Sequence, residues 1–131
     1  MPLKKLALIA LCTSMFAFMG CGSGDPIVNF NNSPVVAKSG NKNIKDIERA
    51  IMLAGARSGW QMNPVKPGLI TATRFSQGHM AKVDISYTTQ SYSVTYKDSS
   101  NLKYNGQTID EKYNQWVTRL HKYIRANIAQ M

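Results

Sequence analysis

With 131 residues the chain is long enough for one domain with a real core, and no internal repeat or second domain is apparent in it. Lys and Arg number 16 against 7 Asp and Glu, and the net charge of +9 turns the molecule toward anionic partners. Cys12 and Cys21 are the only cysteines, which excludes a scaffold stapled by several disulfides.

The chain opens with MPLKKLALIALCTSMFAFMGC, Met1 to Cys21. Lys4 and Lys5 make a short basic start. Leu6 to Met19 is an almost unbroken apolar run, too short for a membrane-spanning helix. Gly20 is a small residue directly before Cys21. A basic region, an apolar region and a small residue at a cleavage point together describe an export signal. Phe18-Met19-Gly20-Cys21 further resembles the box that closes a bacterial lipoprotein signal. That resemblance implies cleavage between Gly20 and Cys21, a diacylglyceryl thioether on Cys21 and acylation of the new amino end. A cysteine suits the role because sulfur is a better nucleophile than a hydroxyl. Several acyl chains also hold a protein to a bilayer where one does not. Cys12 follows Leu11 and does not fit the box. The alternative is an ordinary secreted protein, or a buried free cysteine.

Removal of residues 1–20 takes Lys4, Lys5 and Cys12 away and leaves 111 residues with a charge of +7 and a single cysteine. No disulfide is then available, and stability has to come from packing. An exported basic chain rarely meets nucleic acid. Its anionic partners are lipid headgroups, lipopolysaccharide, other envelope polymers or acidic proteins. Gly22 stands where many enterobacterial lipoproteins retained at the inner membrane carry Asp. The resemblance therefore implies the outer membrane for a Gram-negative source.

Residues 21–42 are rich in Gly, Ser, Asn and Pro and read as a lipidated cysteine followed by a flexible tether. Ile27, Val28, Phe30, Val35 and Val36 offer transient or edge-strand contacts within it. The folded part is expected to start at Asn43, a good N-cap, with Asp46 placed to reach back as in a capping box. Ile44, Ile47, Ile51 and Ala54 recur at helical spacing, and Gly59 supplies a stop, so 44–58 reads as a helix. Gly55 weakens its middle but lets another element approach.

Trp60 to Lys66 reads as extended or looped, and Pro67-Gly68 is a turn. Leu69 to Arg74, Met80 to Tyr87 and Ser91 to Lys97 read as strands, the last two with clean period-two alternation. The short connection between them predicts a hairpin with Tyr87 opposite Tyr92 and Ile85 opposite Val94. Ile70 and Ala72 inward would bring Arg74 near His79 at the end of the sheet. Leu102 and Tyr104 are candidates for a short fourth strand before the Asn105-Gly106 turn. Thr108 or Asp110 then caps a last helix whose stripe is Tyr113, Trp116, Val117, Leu120, Ile124 and Ile128. The prediction is an α+β domain over 43–131: helix, a three- or four-stranded antiparallel meander, and a C-terminal helix. Both helices cover one face of the sheet, with Trp116 and Leu120 buried against Val83, Ile85 and Val94.

Gly59-Trp60, Ile70-x-Ala72, His79-x-Ala81-x-Val83-x-Ile85, Tyr92 to Tyr96, Ser100 to Tyr104 and Tyr113-Asn114-x-Trp116-Val117 together resemble a family of small bacterial envelope lipoproteins of unassigned function. The resemblance covers most of 43–131. It implies an envelope location and carries over no catalytic residue.

Chemistry-bearing residues are few. His79 and His121 are the only histidines, the acids are scattered and Cys21 is committed to lipid, so no metal or other cofactor is expected. Arg74 with His79 could bind an anion at the sheet's end, or His79 could be a turn residue in a local hydrogen bond. Asp110-Glu111 is explained by the helix dipole. No nucleophile elbow, phosphate loop or metalloprotease motif is present. Tyr87, Tyr92 and Tyr96 line either a pocket or the core, and the polar loop Asn101 to Asn105 is either a binding loop or a solvated turn. Lys112, Arg119, Lys122 and Arg125 form a basic face opposite the apolar stripe. The expectation is a non-enzymatic binding or structural module, anchored to the membrane through Cys21, that meets an envelope protein or an anionic envelope surface by Arg119, Lys122 and Arg125. The alternative is a small periplasmic enzyme or inhibitor acting on cell-wall material or a small ligand.

Overall fold

A computed structural model of the chain describes residues 24–40 and 42–131; the segment read as an export signal, and Cys21, lie outside the described residues. The elements, in chain order, are β1 Asp25–Pro26, β2 Phe30–Pro34, α1 Ile44–Arg57, β3 Gln61–Lys66, β4 Leu69–Ser76, β5 His79–Tyr87, β6 Ser91–Ser100, β7 Thr108–Ile109 and α2 Glu111–Ala129. β2, β6, β5, β4 and β3 form one antiparallel sheet in that order, and β1 pairs with β7 in a separate ribbon. The fold is α+β, and both helices lie on one face of the sheet, as the strand alternation predicts.

Local chemistry sets each boundary. Asn43 caps α1, its Oδ1 accepting from the Lys45 N–H at 2.8 Å. Asp46 does not complete a capping box; its carboxylate pairs with Arg49 at 3.0 Å instead. Ile47, Ala50, Ile51, Ala54 and Gly55 are the buried face of α1. Gly55 has no Cβ because Met62 of β3 lies against it, and a side chain there would run into that methionine. Gly59, at φ +91°, ends the helix in the left-handed region.

The meander follows the predicted register. Tyr87 lies opposite Tyr92 and Ile85 opposite Val94. Gln77 and Gly78 both take positive φ, 53° and 84°, the two-residue turn whose twist suits a hairpin. Ile70 and Ala72 pair with Ile85 and Val83, which places Arg74 and His79 on the core side at one end. A bulge where β6 passes Lys82 and Val83 inserts one residue, so Ser99 rather than Asp98 comes to lie opposite Ala81.

The sheet has two strands more than the three clearest in the sequence. Gln61–Lys66, read as extended or looped, is the edge strand β3, and Pro64 is tolerated there because an edge strand needs fewer N–H donors. Phe30–Pro34, read as part of a tether offering transient or edge-strand contacts, is the opposite edge, with Phe30 opposite Val94 and Ser33 opposite Tyr92. Much of 24–39 is therefore docked. Ile27 N–H donates to the Gln107 carbonyl at 3.1 Å, and Ser39 N–H to the Met131 carbonyl at 2.9 Å. Val28 N–H donates to Asn114 Oδ1 at 3.0 Å, and Asn114 Nδ2 to the Pro26 carbonyl at 2.9 Å. Val35 is 1% exposed. The segment runs beside α2 from Asn114 to the helix end.

The candidate short strand at Leu102–Tyr104 does not form. Asn101 and Lys103 sit at φ 61° and 57°, which breaks extended pairing and turns Leu102 into the core. Asp110 caps α2, accepting from the Lys112 N–H at 2.9 Å. Tyr113, Val117, Leu120, Ile124 and Ile128 are buried along α2. Trp116, expected among them, is only half-buried. At 100° per residue it stands about 60° off the line of Tyr113, on the margin of the stripe.

Candidate functional site

The residues singled out in the sequence fall into two places along α2. The first is its N-terminal half, where Trp116 meets the end of the sheet. The Arg74 guanidinium lies over the Trp116 ring, 4.9 Å from its centroid. Arg74 Nη1 donates to the Ser58 carbonyl at 2.7 Å, tying β4 to the end of α1. The His79 ring is tilted against Trp116, with centroids 6.5 Å apart. His79 Nδ1 is 2.7 Å from the Asn101 carbonyl oxygen, and Asn101 Nδ2 donates to the Gly78 carbonyl at 3.2 Å. Arg74 and His79 thus flank one indole, at the end of the sheet where the register predicts them. Their contacts are internal ties between elements. Among the described residues neither pairs with a carboxylate. Arg74 Nε, Trp60 Nε1 and the Tyr113 hydroxyl are buried without a partner. Tyr96 lies between Tyr113 and the exposed Tyr104, its ring tilted against Tyr104 at 4.2 Å, so the tyrosines run from the core out to the loop at 101–105.

The second place is the outer flank of α2. Arg119, Lys122 and Arg125 are exposed there on successive turns, and none of them forms an ion pair among the described residues. Lys112, by contrast, is tied to Asp110 at 3.6 Å. Two clefts open beside this flank. One, about 450 Å³, is lined by Arg119 and Lys122 together with Asp25 and Glu111, so both charge signs meet in it. The other, about 610 Å³, is lined by Lys122, Arg125, His121 and Tyr92 with Ser33, Pro34, Val36 and the last turns of α2. No carboxylate lines it.

His121 sits at the inner end of the second cleft. It is 9% exposed and stacked on Phe30 of β2, with ring centroids 4.0 Å apart and planes 6° from parallel. Its Nδ1 is 3.2 Å from the Tyr92 hydroxyl. Burial lowers the imidazole pKa, and the Arg125 charge lowers it further. Burial raises the Tyr92 hydroxyl pKa, with Arg125 and the Ser33 hydroxyl opposing. A neutral ring beside a neutral phenol results. The sequence weighed His121 only as a metal ligand; among the described residues no group of three His, Cys, Asp or Glu gathers in a metal-binding arrangement. Its placement was nonetheless readable. His121 lies four residues after Val117 and three before Ile124, on the second margin of the stripe.

Compared with protein-family models, with curated proteins and with solved structures, the chain finds no match. Among the described residues no helix is long and apolar enough to cross a membrane.

Proposed function

We propose that the protein is a lipid-anchored envelope lipoprotein whose domain faces the periplasm and binds an anionic envelope surface or acidic partner without catalysing a reaction. The observation that carries this reading is the trio Arg119, Lys122 and Arg125, exposed on one flank of α2 and unpaired among the described residues. The signal sequence, with Cys21 as the acylated residue and Gly22 after it, supports the envelope location and the outer membrane.

The docking of the N-terminal segment supports it further. Gly24 packs closely on the Ile109 backbone, where a Cβ would lie 2.9 Å from the carbonyl oxygen. Only two residues separate it from Cys21, a reach of at most about 10 Å. An acylated Cys21 would therefore hold the domain close against the bilayer rather than on a long leash. Local concentration of the basic flank at the headgroups would be correspondingly high.

Each Lys or Arg near an anionic surface contributes about 1 kcal/mol, so three contribute about a hundredfold in affinity. The unlipidated domain, residues 22–131, should bind anionic vesicles at low salt and release them as salt is added. Changing Arg119, Lys122 and Arg125 together to Gln should remove most of that binding. Binding that ignores both salt and the triple change, or no binding at low salt, would leave the flank as solvation only.

A further inference from the structure

We infer that the cleft between β2 and the C-terminal half of α2 is a binding site for a single-chain amphiphile with an anionic head, a fatty acid or an alkyl phosphate. The inference deepens the reading of the basic flank, since Lys122 and Arg125 belong to both, but it concerns a cavity rather than a surface.

Charge comes first. Lys122 and Arg125 stand at the cleft of about 610 Å³, and no acid lines it, whereas the neighbouring cleft at Arg119 holds Asp25 and Glu111. An anion is therefore favoured at Lys122 and Arg125 and opposed one turn earlier. The apolar part follows. Pro34, Val36, Ala126, Ile128 and Ala129 supply a largely hydrocarbon wall, and Val36 is 65% exposed, an apolar side chain left in water at the cleft. The volume suits a small molecule, since such sites run from about 300 to about 1,000 Å³.

The deep end is polar and already organised. Tyr92 and His121 are both buried and share one hydrogen bond at 3.2 Å, and Phe30 fixes the imidazole plane. With the Tyr92 hydroxyl donating to Nδ1, the ring proton sits on Nε2. A neutral histidine then keeps one N–H that can donate to an anionic head, while Lys122 and Arg125 supply the charge. A polar pair behind two cations, beside an apolar wall, is the pattern an anionic head with a short chain would complete. A free inorganic anion would leave the wall wet, and a neutral detergent would leave both cations unused.

Isothermal titration of the 22–131 protein with four probes below their aggregation limits tests the assignment. Decanoate or decyl phosphate, whichever head the site takes, should bind saturably at one site per chain. Inorganic phosphate and decyl maltoside should each bind about tenfold more weakly or not at all, since each lacks one half of the recognition. Lys122→Gln with Arg125→Gln should weaken the anionic amphiphile about tenfold or more, the scale of lost charged hydrogen bonds. Ala129→Phe, an exposed change at the end of α2, should block the cleft while leaving the two cations in place. Lys82→Gln, on the far face of the sheet, removes one charge elsewhere and should change nothing. Equal binding of decyl maltoside or of phosphate, or unchanged binding by Ala129→Phe, would overturn the proposal. Anionic vesicles bound equally by wild type and Ala129→Phe would mean the surface reading stands apart from the cleft. Decanoate binding without vesicle binding would remove the surface reading and keep the cleft.

Discussion

His121 shows how one residue's surroundings decide its behaviour. Its ring is enclosed by Phe30, Tyr92 and the helix, and burial, helped by Arg125, holds its pKa below the ordinary value. The unfolded chain therefore takes up the proton first as pH falls. Stability is full above about pH 6.5, the ordinary histidine value, and declines with acidification until the folded ring also titrates. One titrating proton limits the slope to at most about 1.4 kcal/mol per pH unit. Urea midpoints should fall between pH 7 and pH 5 in the wild type and change much less in His121→Gln. Equal declines in both proteins would mean other groups set the acid response. Gly59 makes a second case. Alanine there would have to hold a left-handed conformation, at about 1–2 kcal/mol, and its Cβ would meet the Arg74 guanidinium that ties β4 to α1. Gly59→Ala should lower the melting temperature by more than about 5 °C, and a neutral result would contradict the tie.

Among the elements, β2 separates two pictures of the N-terminal segment. If 24–36 were a tether, its removal would leave the domain's stability unchanged. Docked, it contributes the buried Val35, the Phe30 stack on His121 and a full edge for β6. A protein starting at residue 37 should melt at least about 10 °C below one starting at residue 22, the equivalent of roughly 2 kcal/mol. It should also aggregate more readily, because the exposed β6 edge becomes available for pairing. Matching melting curves would restore the tether. At α2, Asp110 accepts the free Lys112 N–H of the first turn and its pKa is lowered by that bond. Asp110→Ala should cost about 1 kcal/mol at neutral pH, and the difference should shrink as pH falls through the lowered carboxylate pKa.

For the whole molecule, the proposed anchor is tested at Cys21. Cys21→Ser should move the protein out of the membrane fraction or leave it unprocessed, and a fatty-acid analogue should label only the wild type. Wild-type protein that takes up no label would remove the lipid anchor from the account. With Gly24 fastened to Ile109, the ribbon of β1 and β7 becomes the end of the domain nearest an acylated Cys21. Residues added between positions 22 and 24 should then weaken any contact that depends on this short reach.

Local patterns in the chain determine much of the fold by themselves. The 3.6-residue spacing of Ile47, Ile51 and Ala54, and of Tyr113, Val117, Leu120 and Ile124, specifies two helices, because each stripe has to be buried. Alternation in Met80 to Tyr87 and Ser91 to Lys97 specifies the hairpin and its register, since a slip by one residue would turn the apolar set outward. The register in turn brings Arg74 toward His79. What tertiary structure alone decided depends on partners far apart in the chain. Phe30 becomes part of an edge strand because Val94 and His121 are there to receive it; its apolar neighbours hint at edge contacts, but a segment rich in Gly, Ser, Asn and Pro does not say which strand receives them. The spacing of Trp116 groups it with the core stripe, yet it stands about 60° off that stripe at its margin, and only packing shows that Arg74 from another element covers it there. Lys122 and Arg125 are legible as a basic face, but a cleft exists beside them only because β2 lies along α2 and leaves a gap above Tyr92 and His121. Periodicity reports which face of an element is apolar. Which remote side chains meet at the edges of that face is decided by packing.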